Sequence, residues 1–331
     1  MALELTTVAD DGAELFDGPE RVLLPALHPD TAYHHGGFDF RTLPRPAGER
    51  LATVATVNDL HFGETSCGEI EGLDLQPVLH SEPGEDPYPE VMNRGAVAEI
   101  ADLSPDAVIA KGDLTTASTR GELDAFYHHY RGAFGHRLYW VRGNHDTGLP
   151  AVSPQLVTLD GVCLAIVDTA APGLASGRLS ADDLEWLDQV GAEADRPVLV
   201  FGHHHCWKPG SRSRPDTYFG LHPDSSERLV SVFARRRSLV GYFAGHTHRN
   251  RVRRFPETGD VPWVEVACVK DFPGTWAEYR VFEGGILQVS HRIATAEALS
   301  WSERCRAIAS GLYPMYAFGQ LADRCFPIWP R

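Results

Sequence analysis

From Leu51 onward, short apolar, β-branched runs alternate with longer amphipathic segments, and this alternation constrains the fold more than any other feature of the chain. The runs are LATVATV (51–57), AVIA (107–110), RLYWV (137–141), VCLAIV (162–167), PVLVF (197–201) and LVGYFA (239–244). A strand with one wet face alternates polar and apolar residues, so near-continuous apolar runs predict strands buried on both faces. Between them the pattern predicts helices over 88–103, 121–130, 180–190 and 225–235. The third of these opens with Ser180 as N-cap and Asp183 in the first turn. Strand–helix alternation of this kind is that of a layered α/β domain. The later runs WVEVACV (263–269), EYRVFEGG (278–285) and ILQVSH (286–291) predict hairpin strands that complete a second sheet.

Both ends depart from the pattern. Residues 1–47 predict a small β appendage, with strand-like runs at 21–24 and 38–43 between turns such as Asp10-Asp11-Gly12 and Asp17-Gly18-Pro19. The stretch 28–44 resembles the closing strands of a fibronectin-III-like module, and Pro44-Arg45-Pro46 reads as a linker. Residues 48–292 form the layered domain. Residues 293–331 form a tail with a helix over 295–309 and an aromatic end: Tyr313, Tyr316, Phe318, Phe326 and Trp329. A tail of this kind is expected to dock on the body; a lid over a site or a contact between copies of the chain are the alternatives.

Five polar blocks lie at the ends of predicted strands: Asp59-Leu60-His61, Gly112-Asp113, Gly143-Asn144-His145-Asp146, Gly202-His203-His204-His205 and Gly245-His246-Thr247-His248. Open α/β sheets gather functional groups in such loops, at the carboxyl ends of strands. Each block alone says little. With 16 histidines in 331 residues, a chance His-x-His is expected roughly once. A lone Asp59 or Asp113 is an ordinary turn residue or helix cap, and a lone Asn144 tolerates positive φ. The ordered set is what points to a site. Carboxylate, amide oxygen and neutral imidazole suit divalent Mn, Fe, Zn or Co, and the absence of cysteine disfavours a structural zinc site. A strand-end carboxylate such as Asp113 can bridge two ions. Such a pair, roughly 3.5–4 Å apart, lowers the pKa of a shared water and grips a phosphoryl oxygen.

The blocks resemble the calcineurin-like metallophosphoesterases, whose pattern is D-x-H, G-D, G-N-H-[DE], H, G-H-x-H, and the resemblance covers about residues 51–292. It implies a four-layer α/β/β/α sandwich of two mixed β-sheets flanked by helices, carrying two divalent metal ions. It implies Asp59, His61, Asp113 and His248 as ligands of one ion, and Asp113, Asn144, His203 and His246 as ligands of the other. Metal-bound hydroxide would attack the phosphorus. His145, a histidine that is not a ligand, would protonate the leaving oxygen or steady the developing charge. Asn144, His145 and His204 are expected to face the substrate, with His205 a further candidate.

Two departures from the family's pattern bear on the chemistry. Many members read G-D-x-x-D, the second Asp orienting the histidine of G-N-H; here Thr116 stands in that place. A hydroxyl can hydrogen-bond the imidazole but cannot raise its pKa as a carboxylate does. No tyrosine follows Gly112-Asp113 at the position that ligates iron in purple acid phosphatases. The compact motif set looks most like bacterial cyclic-nucleotide and glycerophosphodiester phosphodiesterases, so a small phosphodiester is the expected substrate. A phosphomonoesterase, a nuclease and a protein phosphatase of the same superfamily are the alternatives, and a scaffold using a dead version of the fold is the remote one. Arg142 is placed to reach a phosphate, or to sit as a plain strand-end cation. Trp207, Tyr218 and Phe219 either stack on a base or pack their own loop.

A net charge of −15 disfavours a nucleic-acid polymer as partner, whereas bound cations reverse the potential inside a pocket for a small phosphate ester. The six cysteines lack C-x-x-C spacing and read as free thiols, with Cys305 and Cys325 able to pair under oxidation. The acidic N-terminus has no signal-peptide pattern, and no run approaches the ~18 apolar residues of a membrane span. We read the chain as cytoplasmic.

Overall fold

The computed structural model describes residues 3–69, 76–211, 213 and 218–331. The chain opens with an antiparallel meander of β1 (Glu4–Val8), β2 (Gly12–Asp17) and β3 (Glu20–Pro25), then a hairpin of β4 (Ala32–His35) and β5 (Phe38–Arg41). The main body begins with β6 (Arg50–Val57), α1 (Tyr88–Leu103) and β7 (Ala107–Lys111). Next comes α2 (Arg120–Phe126), which widens into a π-turn over Tyr127–Arg131 and ends in the one-turn α3 (Gly132–Phe134) before β8 (Leu138–Val141). The helix expected over 121–130 therefore continues for four more residues with altered winding.

The second half adds β9 (Gln155–Leu159), β10 (Val162–Ile166), α4 (Ala181–Glu193), β11 (Val198–Phe201), α5 (Pro223–Arg235) and β12 (Leu239–Ala244). Then follow β13 (Arg251–Arg253), β14 (Trp263–Glu265), β15 (Thr275–Phe282) and β16 (Gly285–Arg292). The tail holds α6 (Ala296–Cys305), α7 (Tyr313–Ala317), α8 (Leu321–Arg324) and β17 (Phe326–Ile328). The expected N-cap is present: the Ser180 hydroxyl accepts from the Asp183 N–H, and the Asp183 carboxylate accepts from the Ser180 N–H.

Two six-stranded mixed sheets result, ordered β17-β16-β15-β6-β7-β8 and β13-β14-β12-β11-β10-β9. Successive strand residues point to opposite faces, and here both faces are dry. On β10, Val162, Leu164 and Ile166 meet the other sheet, while Cys163 and Ala165 meet the helices. On β7, Ala107 and Ile109 face the other sheet and Val108 and Ala110 face the helices. This double burial is why the runs are apolar throughout. The sheets meet across a core containing Val54, Ile109, Leu164, Leu199, Phe243 and Tyr279, with helices on both outer faces.

The late runs divide between the sheets. Trp263–Glu265 pairs with β12, whereas the β15–β16 hairpin pairs with β6. The rest of WVEVACV leaves the ladder and bridges the sheets, with the Val266 N–H donating to the Ala244 carbonyl and the Val269 N–H to the Asn58 carbonyl. The tail docks on the body as an edge strand, β17 beside β16, with Pro327 where an edge tolerates a residue lacking N–H. All six cysteines are free and buried. Cys305 lies in the core beneath α1 and Cys325 in a separate cluster with Leu287 and Val289. Among the described residues, no helix is long and apolar enough to cross a membrane.

Candidate metal centre

β6, β7 and β8 run parallel, as do β10, β11 and β12 in the facing sheet, so each sheet delivers its strand-end loops to a common edge. Main-chain bonds hold the loops together: Asp59 N–H to the Gly112 carbonyl (3.0 Å), His61 N–H to that of Asp113 (2.9 Å), and Gly245 N–H to that of His203 (3.0 Å). Asp59, His61, Asp113, His246 and His248 all take left-handed φ values, from 49° to 70°. Non-glycine residues adopt that conformation at a cost of ~1–3 kcal/mol each, and they do so where the surroundings over-determine them. Glycine is required beside them by close approach. A Cβ at Gly143 would lie 2.1 Å from Asp113 Oδ1, and one at Gly245 2.7 Å from Asp59 Oδ2.

The side chains converge with their lone pairs facing one another. His203 donates Nδ1–H to the Lys111 carbonyl (2.8 Å), which leaves Nε2 as the acceptor. That Nε2 is 3.2 Å from Asn144 Oδ1 and 3.3 Å from Asp113 Oδ2, so three acceptors meet. His61 Nε2 is 3.6 Å from the same Asp113 oxygen, and neither nitrogen of its buried ring has a hydrogen-bond partner. His248 Nε2 is 3.5 Å from Asp59 Oδ1. His246 donates Nε2–H to the Phe219 carbonyl (2.8 Å), keeping Nδ1 free. Asp59 accepts from the His246 N–H and from Asn58 Nδ2 at 2.6 Å. The potential ligand atoms of Asp59, Asp113 and His203, and those of Asp59, His61 and His248, lie within 4.8 Å of one another. Buried acceptors aimed at each other are costly unless a cation sits among them, so these residues fit metal ions.

The electrostatics agree. Burial pushes His61 and His246 down to about 3, which keeps both rings neutral as ligation requires. Burial also opposes charge on His203, but Asp113 outweighs it and carries the imidazole up to about 9, while Asp113 itself is held well below the carboxylate range. These two shifts are the two sides of the single Asp113–His203 contact.

Other residues expected to act have different positions. His145 is exposed at the mouth, its ring 4.8 Å from that of His61. The Thr116 main-chain carbonyl, not its hydroxyl, receives the His145 Nδ1–H (3.0 Å); the hydroxyl donates to the His61 carbonyl. His204 is completely buried, with Nδ1 on the Thr169 hydroxyl (2.8 Å), its ring against His203 and His246, and its Nε2 without a hydrogen-bond partner. His205 is likewise buried. Arg142 is neither a phosphate hook nor a free cation: its guanidinium is buried on Asp168 (2.7 Å) and the Leu149 carbonyl. Trp207 is buried against Tyr218, while Phe219 stacks 4.0 Å from the His246 ring and is 51% exposed.

Four supporting residues were not legible as such in the sequence. Asn58 holds Asp59, and the Thr169 hydroxyl accepts from the His203 and His204 N–H groups. Asp146 accepts from the N–H groups of Gly143, Leu114 and Thr115 and so ties two loops together. Asp271 lies beside His248. Only Asp146 carried a signal, as the fourth residue of the Gly-Asn-His block.

A buried cluster of Asp, Asn and His at the edge of two facing mixed sheets defines the class: a metal-dependent hydrolase on a layered α/β fold. Residues 52–250 match the calcineurin-like phosphoesterase family, and the chain belongs to that family, whose members hydrolyse phosphoester bonds. It is 30% identical over 122 residues to a cAMP/cGMP dual specificity phosphodiesterase of Mycobacterium tuberculosis, a match spanning 31% of this chain and 37% of that protein. It is 24% identical over 217 residues to the 3′,5′-cyclic adenosine monophosphate phosphodiesterase CpdA of Pseudomonas aeruginosa, covering 62% of this chain and 72% of that one. Among solved structures, a dimetal phosphatase from Danio rerio superposes with a TM-score of 0.57 at 13% identity, over 74% of this chain and 97% of that one. At that identity the likeness concerns the fold alone.

Proposed function

We propose that the protein is a two-metal phosphodiesterase of small phosphodiesters, with a 3′,5′-cyclic nucleotide as its substrate class. The observation that supports the reading is that Asp113 Oδ2 lies 3.3 Å from His203 Nε2 and 3.6 Å from His61 Nε2, so that one carboxylate could serve two ions. Asp59, His61, Asp113 and His248 would hold one ion; Asp113, Asn144, His203 and His246 would hold the other. When bound, the ions supply Lewis-acid stabilisation of phosphoryl oxygens and activation of water.

The chain's own residues do the rest. His145 stands at the mouth, its Nδ1–H fixed by the Thr116 carbonyl and its main-chain N–H anchored on Asp113 Oδ1 (2.9 Å), so Nε2 is the atom that serves the leaving oxygen. Phe219, exposed and stacked on His246, offers a planar base a platform beside the reacting phosphate. The curated relatives that act on cyclic nucleotides support the substrate class.

The test is hydrolysis of cyclic AMP, bis(p-nitrophenyl) phosphate and p-nitrophenyl phosphate by protein loaded with Mn, Zn, Fe or Mg. Diesters are hydrolysed in preference to the monoester, and exhaustive chelation abolishes turnover. Asp113→Ala loses turnover together with bound metal, whereas His145→Ala loses about 10²–10⁴-fold in rate and keeps its metal. Wild-type metal content in Asp113→Ala would sink the shared-carboxylate assignment.

A further inference from the structure

Asp271 lies outside the five blocks, in the connection between β14 and β15, yet side chains from separate parts of the chain meet at its buried carboxylate. His248 Nδ1 is 3.4 Å from Oδ2, while the other ring nitrogen, Nε2, is 3.5 Å from Asp59 Oδ1. Two donors hold the opposite oxygen: the Cys268 thiol and the Tyr313 hydroxyl each reach Oδ1 at 2.8 Å. Lys270 Nζ and Cys67 Sγ close the surroundings, each 4.0 Å from Oδ2. The carboxylate is therefore fixed on one side and presents its remaining oxygen to the ring of His248.

The other histidines of the centre whose proton is placed use main-chain carbonyls: Lys111 for His203, Phe219 for His246 and Thr116 for His145. His248 has a carboxylate instead. A neutral imidazole carries one N–H, and the nitrogen left without it is the one able to ligate. Were the proton on Nε2, the ring would aim a donor at the place where a cation must sit.

We propose that Asp271 is a positioning residue for His248, accepting its Nδ1 proton and so turning the Nε2 lone pair toward the ion that Asp59 also holds. Carboxylate partners of this kind fix the tautomer and raise the basicity of a ligating ring. The arrangement gives the C-terminal tail a task at the centre. Tyr313 steadies Asp271 from one side, and Tyr316, two residues along α7 from Pro314, donates its hydroxyl to the Thr247 carbonyl (2.9 Å) within the Gly-His-Thr-His loop. The inference rests on the two-metal reading above.

Full-length protein stripped of metal and titrated with Zn²⁺ against a competing chelator tests it. In Asp271→Ala one of the two binding steps weakens about 10–100-fold and the other is unchanged. Asp271→Asn recovers most of the loss, because an amide oxygen still accepts the Nδ1 proton, and Tyr313→Phe weakens the same step by a smaller factor. A second measurement needs no variant: ¹⁵N spectra of the histidine rings in zinc-loaded wild type show His248 bound through Nε2 with a proton on Nδ1. Zinc on Nδ1, or both steps at wild-type affinity in a folded Asp271→Ala, overturns the inference. If wild type takes up no metal, the two-metal reading fails first; if it takes two ions and only the Asp271 results are negative, this inference fails alone.

Discussion

An imidazole gives a cation one lone pair, and which nitrogen carries it depends on where the other nitrogen's proton goes. In this centre rigid backbone at strand ends makes that choice for His203 through Lys111 and for His145 through Thr116. The same tight loops force positive φ on five of the candidate ligands, from His61 and Asp113 at 49° to His246 at 70°. Phe219 sits at the edge of this rigid frame with half its surface free, its carbonyl holding His246 and its ring lying over it. Phe219→Ala keeps the carbonyl and removes only the platform. Stacking of a base on an aromatic ring is worth ~1–3 kcal/mol, so KM for cyclic AMP rises roughly 5–150-fold while kcat holds. KM for a glycerophosphodiester, which has no base to stack, does not move. Steady-state kinetics on both substrates check this, and an equal rise for both would remove Phe219 from substrate binding.

Among the elements, the tail joins the body at two places. β17 closes an edge of one sheet, and α8 places Arg324 in a buried position between the tail and β1. Its guanidinium donates to the carbonyls of Leu5, Thr6, Phe318 and Gly319, and its Cζ lies 3.8 Å from the Phe318 ring centroid. Arg324→Ala removes the donor these four carbonyls share, and of them the Phe318 carbonyl keeps Asn250 Nδ2 (3.3 Å). Loss of hydrogen bonds to a charged group, with acceptors left unpaired, lowers unfolding stability by ~2–4 kcal/mol. Equilibrium denaturation measures the loss, and a change under ~1 kcal/mol would mean that the tail is held by other contacts.

Across the molecule as a unit, the appendage is joined to the body by a network of charges around the buried Asp10, Glu14 and Glu278. His291 on β16 lies between Glu14 of β2 (3.3 Å) and Glu278 of β15 (3.1 Å), with the Trp276 ring stacked 4.3 Å away. Arg21 pairs with Glu14, Arg50 and Arg280 pair with Glu278, and Arg280 also reaches Asp10 and Asp11. Burial opposes a charge on His291, but the two carboxylates outweigh it and raise its pKa to about 9. An unfolded histidine titrates near ~6.5, so the folded state holds the proton more tightly. The contribution is complete below pH ~6.5 and is lost as pH rises through about 9, a loss of ~3 kcal/mol. Denaturation midpoints followed from pH ~6 to ~9.5 should fall for the wild type and stay flatter for His291→Gln. Parallel slopes would place the titration elsewhere.

Continuous apolar runs marked the strands because burial on both faces leaves no room for polar residues, and the ordered Asp, Asn and His blocks pointed to the candidate site because strand-end loops bring such residues together. Those are local regularities, readable one segment at a time. The partners of the blocks were not. Asn58, Thr169 and Asp271 look like ordinary polar residues until the two sheets pack, and His204, adjacent to a candidate ligand, is buried because β11 and the neighbouring rings close over it. Sequence spacing identifies which groups can hold a cation; which nitrogen of each ring is free to do so depends on long-range contacts, since a proton is placed by whatever acceptor the fold sets within hydrogen-bond reach.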